Sequence, residues 1–277
     1  MVVRGNLQSM SDLETLPYDP KEKVLHQVNQ DEIHLWKSSW GDSANHKNVF
    51  SEDDLEWLTD QMYRHHEFRR VKQNGTLHFK SNINAIKEKF WDKFVNLIPE
   101  IEDTNDWKGN FFLTSTPYNL HIDTGNPDEY KNTYPGKQIT IPLFVCWTNS
   151  ETKPMCGTAL MKQRFTLYGT NFAKSDNKYD TNVNYTIRDY NNLTAYDKFG
   201  TVCSNWDKSF DPDTREKYFT HFNKRWLDGF ELEAVHDWER GNMLVFDRCQ
   251  AHSGVDFVKA GVTLKAGLTL MTTRKKP

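Results

Sequence analysis

The strongest constraint on the fold lies after residue 109, where the chain breaks into short β-prone segments. They read NFFLTSTPY, NLHID, KQITIPLFVCW, GTALMKQRF, NMLVFD and VTLKAGLTLMTT, and Gly, Pro, Asn and Asp separate them. Segments of this length bury apolar surface only by pairing into sheets that stack or close. Two helical patterns precede them. In SEDDLEWLTDQMYRHH, Ser51 is placed to cap, Glu52, Asp53 and Asp54 suit a helix N-terminus, and Leu55, Leu58 and Met62 share a stripe. In INAIKEKFWDKFVNLI, Ile83, Ile86, Phe90, Phe94 and Leu97 line one face until Pro99 stops the pattern. Between them, the Asn74-Gly75 turn signal leads into a strand-like TLHFK. The expected class is α+β, with a sandwich or barrel core supported by N-terminal helices.

One catalytic domain over 1–277 is expected, with 1–30 as an extended arm, 31–108 as helical support, and 109–161 with 236–277 as the β core. The interval 162–235 is rich in Asn, Asp, Tyr and Trp and too long for an ordinary connection, so it reads as an insertion or lid.

Composition removes several functions. The 35 basic and 38 acidic side chains give a net charge of −3, which argues against nucleic acid as a partner. No stretch approaches the roughly 20 apolar residues that span a membrane, and the first residues lack the apolar core of a signal peptide. Cys146, Cys156, Cys203 and Cys249 are widely spaced without a CxxC pair, so a reducing cytoplasmic setting is expected. There is no GxGxxG or GxxxxGK[ST] phosphate loop and no GxSxG elbow.

The chemistry-bearing motif is NLHIDTG. In an extended strand, alternation points His121 and Asp123 to one face, where a metal takes an imidazole nitrogen and a carboxylate oxygen. The best third ligand is His252 in NMLVFDRCQAHSGVDF, next to the small Ser253 and Gly254. Two His and one carboxylate make the facial triad of non-haem Fe(II) oxygenases. Further on, VTLKAGLTLM places Lys265 among apolar neighbours, which is costly unless a carboxylate pairs its charge. Gly267, two residues on, would leave that carboxylate room.

The set His121-x-Asp123, His252 and Lys265 resembles the Fe(II)/2-oxoglutarate-dependent dioxygenases. WERGNMLVFDRCQAHSG looks like the family's strand before the distal histidine, and CGTALM like the strand after the HxD loop in its phytanoyl-CoA-hydroxylase-like members. The similarity covers roughly 110–161 and 236–273. The resemblance implies a double-stranded β-helix, the cupin-like jelly roll, with the metal at its open end. It also implies Fe(II) and 2-oxoglutarate as cofactors, dioxygen as co-reactant, and hydroxylation coupled to decarboxylation of 2-oxoglutarate to succinate and carbon dioxide. Related halogenases lack the carboxylate, so Asp123 favours hydroxylation. The family more often has Arg-x-Ser where this chain has Lys265 and Gly267; some relatives instead anchor 2-oxoglutarate on the strand after HxD, where Lys137 lies.

By the same resemblance, Asn110 and Tyr118 are candidate donors to 2-oxoglutarate, with core packing or sheet-edge exposure as the alternative for each. Arg248 is a candidate for facing substrate, with an ordinary surface arginine as the alternative. The loop NPDEYKNTYPGK, with Tyr130 and Tyr134, and the insertion, with Arg164, Tyr168, Trp206 and Trp226, are candidates to close over the mouth. His65-His66-Glu67 falls in a helical pattern where i and i+2 do not share a face. His236 reads as structural, and His78 and His221 lack a partner at ligand spacing. The expected substrate is a small molecule or amino-acid derivative, with a peptide left open; oligomeric state is not fixed by the sequence. Two other readings stand beside the oxygenase: a non-enzymatic cupin-like binder of metal or carboxylate, and a zinc-dependent hydrolase or isomerase on the same barrel.

Overall fold

The structure, a computed structural model, describes residues 30–64, 68–71, 76–125, 132–148, 154–167, 170–172, 193–203 and 205–276. His65, His66, Glu67, Tyr130 and Tyr168 lie outside them, as does the arm before Gln30. Helix α1 spans Ile33–Lys37, α2 Glu52–Arg64, α3 Ile83–Leu97 and α4 Pro212–Tyr218. Ser51 caps α2 reciprocally: its hydroxyl accepts from the Asp54 N–H at 3.3 Å, and the Asp54 carboxylate accepts from the Ser51 N–H at 3.1 Å. Asn82 caps α3 by accepting from the Ala85 N–H at 3.2 Å.

Strands β1 (Ala44–His46), β2 (Phe68–Val71), β3 (Thr76–Lys80), β4 (Lys108–Thr114), β6 (Thr133–Trp147), β11 (Met243–Asp247) and β13 (Val262–Lys275) form a seven-stranded antiparallel sheet. Its order is β1-β11-β6-β13-β4-β3-β2. A smaller antiparallel sheet has the order β10-β7-β12-β5-β8. It is built from β5 (His121–Ile122), β7 (Gly157–Phe165), β8 (Thr170–Asn171), β10 (Leu232–Asp237) and β12 (Gln250–Gly254), with β9 (Ala195–Tyr196) on the far end of β7. Along the chain β4, β6, β11 and β13 enter the large sheet while β5, β7, β10 and β12 enter the small one. That interleaving is the winding of a double-stranded β-helix.

Strand alternation then sorts the side chains. Phe111, Ile139, Ile141, Val245, Leu268 and Leu270 leave the outer face of the large sheet and bury against Leu55, Leu58 and Met62 of α2 and Ile86, Phe90 and Phe94 of α3. Each such side chain contributes about 1.5–3 kcal/mol by leaving water, so the helices back the large sheet from its outer face. The neighbours on the same strands, Asn110, Gln138, Thr140 and Thr269, face inward.

The described part of 162–235 packs on the outer face of the small sheet. Trp206, Phe210, Phe219, Phe222, Leu227 and Phe230 cluster there with Leu120, Ile122, Ala159, Met161 and Ala251. No described residue of this interval lines the cavity between the sheets. Aromatic richness here is a second core, and Trp206 is part of it: its indole N–H donates to the Leu193 carbonyl at 3.2 Å. Among the described residues no helix is long and apolar enough to cross a membrane.

Candidate active site

The two sheets enclose a cavity whose empty space, open mouth included, is about 750 Å³. At one end β5 and β12 run antiparallel with His121 directly opposite His252, the two rings 4.1 Å apart. The donor atoms of His121, Asp123 and His252 all lie within 4.8 Å of one another. His121 Nε2 is 3.6 Å, and His252 Nε2 3.3 Å, from Asp123 Oδ2.

Both ring orientations are set by the backbone. His121 Nδ1 lies 2.7 Å from the Asn119 carbonyl and His252 Nδ1 2.9 Å from the Gln250 carbonyl. A carbonyl only accepts, so each Nδ1 carries a proton, and in the neutral form of the ring the Nε2 lone pair faces the cavity. Three acceptors converging on one point repel unless a cation sits among them, and this donor set, with backbone-oriented imidazoles, fits a metal ion. Burial acts to raise the Asp123 carboxyl, but the two imidazoles in their protonated form outweigh it and hold it well below the usual carboxylate range. Burial, assisted by His121, lowers His252 against the pull of Asp123.

Asp123 is fixed from behind. Its N–H donates to the Arg248 carbonyl at 3.0 Å, while Arg248 Nε donates to the Asp123 carbonyl at 2.9 Å and Nη1 to the Thr272 carbonyl at 2.9 Å. Arg248, expected to face substrate, is instead 1% exposed and supports the loop carrying Asp123.

Lys265 lines the cavity at 5% exposure. Its ammonium sits 4.3 Å from the ring centre of Trp238 and 4.9 Å from that of Phe257. Among the described residues no carboxylate pairs with it, and burial pushes its pKa down, with only Cys156 opposing. Gly267 does make room, but for a side chain of the protein: a Cβ there would come within 2.7 Å of the Trp238 ring.

Lys137 does not line the cavity. It alternates with Gln138 and Thr140, which line the cavity, and its ammonium is bound to Asp247 at 2.7 Å with Glu100 at 3.4 Å. Arg164, fully buried, joins the same network through Asp247 at 2.7 Å and Glu233 at 3.2 Å, and it donates to the Gly41 carbonyl at 2.7 Å. Both tie strands together instead of meeting substrate. Tyr134 is 5% exposed in a separate cluster, edge-on to Trp36. Tyr118 and Asn110 do line the cavity, Tyr118 with its ring 4.5 Å from that of His121.

The lining also includes His78 and Trp238, which the sequence alone did not assign to the site. His78 alternates with the apolar Leu77 and Phe79 on β3 and so faces inward; a polar residue on the inner side of TLHFK was the available signal. Trp238 sits in the turn before β11, and nothing in WERG marks it as cavity wall.

No family model matches the chain, and no curated protein matches it in sequence. Solved structures of similar winding include a Pseudomonas putida prolyl-4-hydroxylase, 13% identical over 89% of this chain and 97% of that one, TM-score 0.41. HygX from Streptomyces hygroscopicus, crystallised with nickel, 2-oxoglutarate and hygromycin B, is 10% identical over 88% of each chain, TM-score 0.42. The carbocyclase SnoK from nogalamycin biosynthesis, described as non-heme and alpha-ketoglutarate dependent, is 9% identical over 90% of this chain and 87% of that one, TM-score 0.44. Likenesses this distant assign no chemistry to this chain; its own side chains must.

Proposed function

We propose that the cavity is the active site of an Fe(II)- and 2-oxoglutarate-dependent oxygenase that hydroxylates a small-molecule or amino-acid-type substrate. One observation carries the reading: a His-His-Asp donor set and a buried lysine with no carboxylate partner among the described residues share one cavity. A zinc site for hydrolysis accounts for the first feature and leaves the lysine without purpose.

His121 Nε2, His252 Nε2 and the Asp123 carboxylate would hold the iron on one face, leaving its other positions to ligands. Fe(II) with 2-oxoglutarate supplies the oxidising chemistry, in which dioxygen is consumed, 2-oxoglutarate becomes succinate and carbon dioxide, and one oxygen atom passes to the substrate. Lys265 pairs with the distal carboxylate of 2-oxoglutarate, an ion pair strengthened by the apolar walls of Trp238 and Phe257. Those walls also keep water from the lysine, so a dicarboxylic acid competes there with little else. Arg248 keeps Asp123 in place, and the Asn119 and Gln250 carbonyls keep both imidazoles in the ligating tautomer.

The test is anaerobic. Purified protein is loaded with Fe(II), 2-oxoglutarate is added, and the visible metal-to-ligand charge-transfer band is recorded for wild type, Asp123→Ala and Lys265→Ala. The reading expects a band in wild type that weakens in both variants. Folded, iron-loaded protein without a band would instead be a metal-binding module, and turnover with Zn(II) indifferent to 2-oxoglutarate would make it a hydrolase or isomerase.

A further inference from the structure

Four buried polar atoms without a hydrogen-bond partner belong to side chains lining this one cavity: His78 Nε2, Gln138 Oε1, Trp238 Nε1 and Ser253 Oγ. Buried polar atoms left unpaired cost free energy, and such a group in a cavity points to a ligand that completes it. His78 is the informative one, because its proton can be located. Asn110 Nδ2 lies 2.6 Å from His78 Nδ1 and 3.4 Å from the Phe111 carbonyl. The carbonyl accepts only, so the amide nitrogen faces it, and the same nitrogen donates to His78 Nδ1. The proton of the neutral ring is then on Nε2, which makes that orphaned atom a donor.

Its position within the cavity is equally defined. Along the inner face of the large sheet, Lys265 shares a row with Thr114 and Thr76, whereas His78 shares the next row with Phe112 and Gly267. Burial lowers the His78 pKa; Asn110 and Asp123 act to raise it and His121 to lower it. His78 and Lys265 thus stand on adjacent inward rows of the one cavity that also holds the triad.

We propose that His78 Nε2–H donates to the triad-side carboxylate of the bound 2-oxo acid, with Asn110 as the positioning residue that fixes its tautomer. The inference rests on the oxygenase reading above and extends it: the cavity recognises both ends of a 2-oxo dicarboxylic acid, one by charge and one by a neutral hydrogen bond. It also changes the role expected of Asn110, whose amide is spent on His78 and acts through it.

The experiment is calorimetric titration of anaerobic Fe(II)-loaded protein with 2-oxoglutarate and with 2-oxobutyrate, which keeps the 2-oxo acid end and lacks the distal carboxylate. Loss of a hydrogen bond to a charged group predicts roughly tenfold or greater weakening of both ligands in His78→Phe. His78→Gln, with an amide donor, recovers most of it, and Fe(II) affinity stays at the wild-type level in both. Lys265→Met weakens 2-oxoglutarate and leaves 2-oxobutyrate unchanged. Asn110→Ala weakens both ligands but adds nothing in the His78→Phe background, and ¹⁵N spectra show the Nε2-protonated tautomer of His78 in wild type giving way to a mixture. Wild-type affinity for both ligands in His78→Phe overturns the proposal, as does an Asn110→Ala penalty that persists without His78. Wild-type protein that takes Fe(II) but no 2-oxo acid overturns the oxygenase reading as well.

Discussion

Lys137 and Lys265 sit on neighbouring strands of one sheet at nearly equal burial, 6% and 5% exposed, yet the protein treats them oppositely. Lys137 has Asp247 at 2.7 Å, and Asp247 is shared with Arg164 at 2.7 Å, so charge is compensated inside the protein. Lys265 has aromatic faces and an open cavity. Cation–π contact returns some of the lost hydration, about 0.5–2 kcal/mol, less than an ammonium loses on burial. A buried cation completed within the fold supports the fold; one left to be completed from outside supports binding.

The sharpest way to break this comparison is to remove the shared acid. Asp247→Ala leaves Lys137 with only Glu100 at 3.4 Å and Arg164 with only Glu233 at 3.2 Å and is expected to cost roughly 3–5 kcal/mol in urea unfolding; a loss under about 1 kcal/mol would put the network in the same class as Lys265. Lys265→Met should weaken 2-oxoglutarate by roughly a hundredfold in the same titration, while unfolding shows no loss of stability. Next is Arg248→Leu, which frees the loop bearing Asp123; Fe(II) affinity should fall roughly 10- to 100-fold with the triad residues intact.

A smaller effect is pH-dependent. Burial depresses the folded-state pKa of Lys265 below its ordinary 10.5, so between the two values the unfolded chain holds a proton that the folded chain has given up. Stability therefore rises with pH across that window. Lys265→Met should exceed wild type in melting temperature at neutral pH, and the gap should narrow as pH approaches 10.5. Smallest is Lys208→Ala. Its pairing with Glu231 at 2.7 Å is solvent-exposed, and thermal unfolding should register less than about 1 kcal/mol.

The same contrast explains what the sequence could convey. Periodicity and alternation are local, so α2, α3, β7 and β13 were legible, and so were the facing of His121 with Asp123 and the oddity of Lys265. Burial of a charge is also legible in a strand such as GKQITIP, but its partner is not. Asp247 reaches Lys137 and Arg164 from far along the chain, and only the β11–β6 pairing brings it there. Arg248 and Arg164 therefore looked available for substrate when they were already engaged. Trp206 misled for a related reason: aromatic side chains in a long connection suit a lid and a second core equally, and the outer face of the small sheet decided between them. His78 was hidden because β3 lies two strands from β13 and joins the cavity only through sheet order.

The pairing of His121 with His252 across β5 and β12 also governs when the site can exist. Neither histidine has its neighbour until the polypeptide has been synthesised past β12, and the intervening strands must wind in order before the two meet. A metal held by this set would consequently be captured late in the life of a newly made molecule, once β12 has been made. A nascent chain halted before β12 would carry HxD on the ribosome without a site to fill.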